Sequence, residues 1–293
     1  MKKAILVCVA LLSLAASAVA QEWVVSSASE GLKGPVRSVH WVKVDSSTCK
    51  WRGCTLVPPT FIESWHIVFA DDGLLSEEFY NNRQGSAVLI TRHYDKKRRL
   101  KKIVRLEPTG NVRFDYHYDG RRVQTYTVCW NSDTAYHDSD TATFRCHYDK
   151  SNNLLSVTEE DVEACPHVDY YENGYRVLRK TGDWHVVYVR NPQGLLLKDS
   201  TYLTESGFDE HGEWKCWPGD TAIETNEYFY TPDGDLAEVR KVEYGRKHVT
   251  TFRYLEYDAF GNWTRRKKTY TKSDGTTEIT DEIRMISYRT SKP

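Results

Sequence analysis

Tyr257-Asp258-Ala259-Phe260-Gly261-Asn262-Trp263 is the fullest copy of a phrase that returns along this chain. An aromatic is followed by Asp, then by a Gly-like residue, then by an apolar residue two positions on. Phe69-Ala70-Asp71-Asp72-Gly73-Leu74-Leu75 and Tyr230-Thr231-Pro232-Asp233-Gly234-Asp235-Leu236 keep the spacing. Tyr94-Asp95 with Leu100 and Tyr148-Asp149 with Leu154 keep it too, with Arg98 and Asn152 at the Gly position. Counted from the turn residue, the apolar position falls on Leu75, Leu100, Leu154, Leu196, Leu236 and Trp263. Two copies are short: Tyr118-Asp119-Gly120 reaches Val123, and Tyr171-Glu172-Asn173-Gly174 reaches Val177. Val189-Arg190-Asn191-Pro192-Gln193-Gly194 reads as longer by one and lacks the aromatic. Self-similarity at such spacing decides the fold before any local reading does.

The phrase has a physical meaning. A strand ends on an aromatic that packs on one face. The Asp accepts hydrogen bonds from backbone N–H groups ahead of it and starts a turn. Gly, or an Asn or Asp, then supplies a positive φ at low cost. The next strand begins with its inward residue two positions later, because successive strand side chains alternate. Alternating segments are expected at residues 63–70, 87–94, 112–118, 123–130, 144–148, 186–189, 223–230 and 250–257. A last pair spans 265–272 and 276–288, turning at Ser273-Asp274-Gly275. No stretch carries the 3.6-residue period of a helix. The fold class expected is all-β: an extended antiparallel meander of β-hairpin repeats, twisted, and curling into an open barrel or a solenoid-like sheet.

The ends and inserts set the domain plan. Lys2 and Lys3, the apolar stretch Ala4 to Leu14 and Ala18-Val19-Ala20 read as a signal peptide over residues 1–20, cleaved near Ala20. The apolar run is short for a transmembrane helix. Residues 21–33 form a linker, 34–288 a single repeat domain, and 289–293 a tail. Inserts at 46–59 and 204–221 interrupt the repeats. The localisation expected is periplasmic or secreted. The chain has 40 Lys and Arg, two of them in the leader, against 41 Asp and Glu. That balance leaves no basic stripe for nucleic acid. Outside the leader stand Cys49, Cys54, Cys129, Cys146, Cys165 and Cys216, an even set that reads as disulfides in an exported chain. The favoured pairing is Cys49–Cys54, Cys129–Cys146 across one hairpin, and Cys165–Cys216.

The Tyr-Asp-x-x-Gly-Asn-Trp/Leu phrase resembles the YD repeat of the Rhs and teneurin group. Gly34-Pro35-Val36-Arg37-Ser38-Val39 and the closing 257–266 segment are similar to the ends of small exported bacterial proteins that carry such repeats. The resemblance spans roughly residues 34–288 and includes no toxin domain. It implies an antiparallel β-repeat protein of the cell envelope, and no reaction.

No residue pattern points to catalysis. There is no G-x-S-x-G, H-E-x-x-H, Walker loop or dinucleotide fingerprint. His93-Tyr94-Asp95, His117-Tyr118-Asp119 and His147-Tyr148-Asp149 repeat one tripeptide, but equivalent positions hold Val68, Tyr170, Tyr188, Phe229 and Glu256, the mixture of a tolerant surface position. The acidic clusters 138–140 and 159–161 lack calcium-loop spacing. No metal or other cofactor is expected. The binding candidates are Trp214, Trp217 and His211 in the second insert, since aromatics on a rigid scaffold anchor partners or stack on sugars. The function expected is a non-enzymatic binding or scaffolding module with an envelope protein or glycan as partner. The alternatives are a glycan-binding module using the two tryptophans, and a glycoside hydrolase with an unidentified carboxylate pair.

Overall fold

The computed structural model describes residues 32–45, 61–82, 87–108, 110–131, 140–162, 165–211 and 213–289. The expected leader, the linker up to residue 31, the 46–59 insert, Cys49, Cys54, the cluster at Asp138 and Ser139, and most of the tail lie outside them. Eighteen strands follow one another with no helix among the described residues. They are β1 (Val36–Asp45), β2 (Phe61–Phe69), β3 (Leu75–Asn82), β4 (Ala87–Tyr94), β5 (Leu100–Glu107), β6 (Gly110–Asp119), β7 (Arg122–Asn131), β8 (Asp140–Tyr148) and β9 (Leu154–Glu159). Then come β10 (Val168–Glu172), β11 (Tyr175–Lys180), β12 (Trp184–Arg190), β13 (Leu196–Phe208), β14 (Trp214–Tyr230), β15 (Leu236–Glu243), β16 (Arg246–Tyr257), β17 (Trp263–Thr271) and β18 (Thr277–Tyr288).

Each strand pairs antiparallel with the next, and β18 pairs back onto β1, with Val39 opposite Ile286 and Trp41 opposite Arg284. The meander is therefore a closed barrel. Closure removes the sheet edges that an open meander would leave unpaired.

The turn chemistry follows the sequence reading closely. Leu75, Leu100, Leu154, Leu196, Leu236 and Trp263 each open a strand. Arg98 and Asn152 take the left-handed backbone of the glycines they replace, with φ of 62° and 69°. Asp95 Oδ1 accepts the N–H groups of Lys97 and Arg99, and Asp258 Oδ1 those of Phe260 and Asn262. The aromatic stands opposite the apolar strand opener, as in Tyr94↔Leu100, Tyr148↔Leu154 and Tyr257↔Trp263, with a register shift just before it.

Two copies differ from expectation. In the short copy at Tyr171, Asn173 and Gly174 both have positive φ, the two-residue hairpin geometry, so Arg176 rather than Val177 stands opposite the aromatic. The copy before Leu196 has ordinary length. Asn191 does the work of the Asp, accepting the Leu195 N–H, and Arg190 occupies the aromatic's place.

The eight copies of the phrase that bound β2–β3 through β16–β17 alternate with the other connections, so they all lie at one end of the barrel. There five of the repeats are tied to the one before. Tyr94 donates its hydroxyl to the Leu75 carbonyl, Tyr118 to Leu100, Tyr148 to Val123, Tyr230 to Leu196 and Tyr254 to Leu236. The strand opener thus fills the core with its side chain and receives the next tyrosine on its carbonyl. The same rim closes the seam. Asn262 exchanges bonds with the Lys33 N–H and C=O and reaches Tyr288, while Arg289 donates to the Val36 and Asp71 carbonyls. Gly34 has φ +83°, and a Cβ there would come within 2.6 Å of the Phe260 ring.

The buried side of the wall carries two apolar clusters, one around Phe114, Val128, Phe144 and Val157, the other around Val36, Val39, Phe69 and Leu75. Between them run ion pairs, as in Arg92–Glu78 and Arg105–Glu107. Outward positions alternate with these and carry Arg113, Asp115, Arg145, Arg240, Arg253 and Lys267.

Candidate functional site

The second insert is not a loop. β13 and β14 run on through it, and residues 204–208 and 214–218 pair only with each other. β12 stops opposite Leu203 and β15 opposite Glu224. The result is a two-stranded arm that overshoots its neighbours by about 17 Å at strand rise. Its tip, Phe208-Asp209-Glu210-His211-Gly212-Glu213-Trp214, is itself a copy of the phrase, which the sequence reading passed over. Asp209 Oδ1 accepts the His211 and Glu213 N–H groups, and Phe208 stands opposite Trp214.

Cys165–Cys216 ties the arm to the β9–β10 connection, as expected from the sequence. Thr204 anchors its root, its N–H on the Asp183 carbonyl and its hydroxyl on Thr181. Cys129 and Cys146 are not joined. Cys129 lies opposite Thr141, and Arg145 opposite Thr125, so the two sulfurs are separated by five strand positions, about 16 Å. The register set by β7 and β8 overrules the symmetry of their loop. Burial pushes the Cys146 thiol up to about 12.

The structure separates the predicted binding residues. Trp214 and Trp217 are three positions apart on one strand and so face opposite sides. Trp214 meets Phe208 edge to face at 5.0 Å, and the pair is exposed, Phe208 at 72% and Trp214 at 45%. Trp217 lies against Gly207 and donates its indole N–H to Glu205 at 3.2 Å. His211 is at the tip beside Glu210. The three repeated histidines, His93, His117 and His147, are exposed and stand opposite Lys102, Thr125 and Ser156 respectively.

Beneath the arm's disulfide lies a buried charge cluster. Asp169 accepts two bonds from Arg179, with Arg176 at 3.2 Å and His167 at 3.7 Å. Burial alone would raise the Asp169 carboxyl. The hydrogen bonds from Arg179 and His167 and the charges of Arg176 and Arg179 together hold it well below the carboxylate range.

A second constellation, invisible in the sequence, sits on the buried side of the wall at the seam. Cross-strand registers set Tyr80, Trp65, Trp41 and Arg284 in one row over β3, β2, β1 and β18. Trp263, the opener of β17, covers the end of the row. The Arg284 guanidinium lies 3.6 Å from its ring centroid and Arg266 lies 4.3 Å away. Trp41, Trp65, Trp263, Arg266 and Arg284, with Val39, Ile67 and Leu32, line a recess of about 260 Å³. Arg266 is matched by Glu282, and Lys43 by Glu63 at 3.6 Å. Arg284 has no carboxylate partner among the described residues. Burial, and then the charge of Arg266, lower its pKa to about 10, so it stays cationic at neutral pH. The indole N–H groups of Trp41 and Trp65 are shut from water and also lack an acceptor.

No family model and no curated protein matches the chain. Among solved structures, a porin-like protein from Bacteroides uniformis is similar over 87% of this chain and 99% of its own, at 10% identity and a TM-score of 0.44. A TcdB2-TccC3-Cdc42 structure is similar over 89% of this chain and 18% of its own, at 12% identity and a TM-score of 0.31. Likenesses this distant carry no weight for function.

Proposed function

We propose that this chain is an exported, non-catalytic binding barrel of the cell envelope, related to small YD-repeat proteins, which docks a partner protein on its arm. The observation that carries the reading is the Phe208–Trp214 pair: two large aromatics held apart from the core at the end of a hairpin that a disulfide staples in place. Rigid, exposed aromatics are the side chains that anchor protein interfaces. The outer edges of the arm at residues 204–208 and 214–218 have no strand beside them, which suits an extended partner segment added to the sheet. Charges at the outward wall positions favour a wall facing water, because a lipid-spanning barrel turns an apolar band outward. Trp214 and Trp217, on opposite faces, offer no joint platform for a sugar.

A photo-crosslinking residue placed at Phe208, with a control at the outward Met285, tests this in the native envelope. One defined crosslinked partner from position 208, absent from 285 and lost on Cys165→Ala, is the expected result. Equal, diffuse labelling from both positions would refute the reading.

A further inference from the structure

We propose that the tryptophan–arginine recess at the seam of the wall is a binding site for a carboxylated sugar, with Arg284 holding the carboxylate and the indoles of Trp41, Trp65 and Trp263 lining the ring's seat. This is independent of the arm and of its partner.

The first ground is charge. Along the buried side of this wall the other arginines meet a carboxylate directly: Arg92 on Glu78, Arg105 on Glu107, Arg266 on Glu282, with Arg176 and Arg179 sharing Asp169. Arg284 breaks the pattern. It is largely enclosed, its guanidinium 3.6 Å from the Trp263 ring centroid, and it makes no close ion pair among the described residues, the charges of Glu282 and Asp235 reaching it only from a distance. Lys268, on the same side and one turn of the register away, is likewise without a dedicated anion, since Glu282 and Glu63 already serve Arg266 and Lys43. A partly buried guanidinium without a counter-charge is unfavourable unless something supplies one. A planar guanidinium receives a carboxylate through two parallel hydrogen bonds.

The second ground is shape and surface. Trp65, Trp41 and Arg284 are direct cross-strand neighbours, so aromatic surface leads without interruption to the cation. The recess, about 260 Å³ and open on one side, has room for a single ring, whose other side would remain in water. That geometry favours an amphipathic ring over a wholly apolar one. The C–H groups of a sugar face carry slight positive charge and suit the negative face of an indole.

The test titrates the intact oxidised chain with glucuronate, glucose and benzoate, reading tryptophan fluorescence, and repeats this with Arg284→Gln and Trp41→Leu. Saturable quenching by glucuronate alone is expected. In Arg284→Gln the affinity falls at least tenfold, equivalent to about 1.4 kcal/mol. Arg284→Gln without ligand should melt no lower than the parent protein, since it removes an unmatched buried charge. Glucose binding as well as glucuronate, benzoate binding in its place, no response to any carboxylate, or unchanged affinity in Arg284→Gln would each overturn the proposal. A lowered melting temperature with unchanged binding would instead assign Arg284 a purely structural role.

Discussion

The two rims of the barrel are built by different chemistry. At the rim of the repeated turns, neutral tyrosine hydroxyls tie five of the hairpins to a carbonyl of the hairpin before. Exposed aspartates such as Asp95 and Asp149 pin the turns themselves through backbone and side-chain bonds. At the arm rim, among the described residues, the Cys165–Cys216 disulfide, the buried Asp169 carboxylate and the Thr204 anchor do the holding. The first design spreads stability over many small, nearly identical contacts between neighbours, as repeat proteins do. The second concentrates it in a few points, which leaves the arm free to carry a sequence of its own.

Asp169→Asn tests the concentrated design most severely. It leaves Arg176 and Arg179 buried beside a neutral amide, and breaking a buried pair in this way costs about 3–5 kcal/mol. Denaturant unfolding should show the loss; a change below about 1 kcal/mol would mean the cluster is not what holds this rim. The pH dependence has the matching sign. A carboxylate whose folded pKa is depressed contributes stability that is present above its unfolded pKa, about 3.9, and is lost as pH falls through the folded pKa. The depressed groups at the turn rim, Asp95 and Asp149, are exposed, so each carries little. Asp169 lies furthest down. Hydrogen exchange during acid titration should therefore loosen the turn-rim amides first and the amides beside Asp169 last.

Reduction should reverse that order. Cutting Cys165–Cys216 opens a link spanning 51 residues, worth about 2–4 kcal/mol in the chain-entropy account. Exchange should rise in residues 204–218 and near Cys165 while the turn rim stays protected. Uniform loosening of both rims would erase the distinction between them. The smallest effect is expected at a single rung: Tyr118→Phe removes one hydroxyl from the Leu100 carbonyl and should cost about 0.5–1.5 kcal/mol in a melting experiment. A much larger loss would show the tyrosine ties to be cooperative.

The contrast also explains what was legible in advance. Turns are local. The residue types that permit a positive φ, accept forward N–H bonds and reopen a strand all lie within seven positions, so even Arg98 and Asn152 disclosed their backbone. The tip of the arm is equally legible at 208–214, where Phe208 and Trp214 hold the aromatic and strand-opening places of the phrase. Cys129 and Cys146 misled because proximity across a loop depends on where pairing starts, and register is a property of two strands. Arg284 gave no signal: Ile283, Arg284, Met285 and Ile286 do not say which parity faces inward, and its lack of an anion depends on four strands meeting at the seam.

The sequence by itself determined that the chain is a meander of hairpins, where most of its turns fall, and which residue opens the strand after the full-length turns. Tertiary structure alone decided that the meander closes, because closure is a pairing between β1 and β18, almost the whole described chain apart, and depends on the accumulated twist of every strand between them. It alone decided which side of each strand is buried at the seam. The recess of Trp41, Trp65, Trp263 and Arg284 therefore exists only in the closed barrel, since its walls come from both ends of the chain.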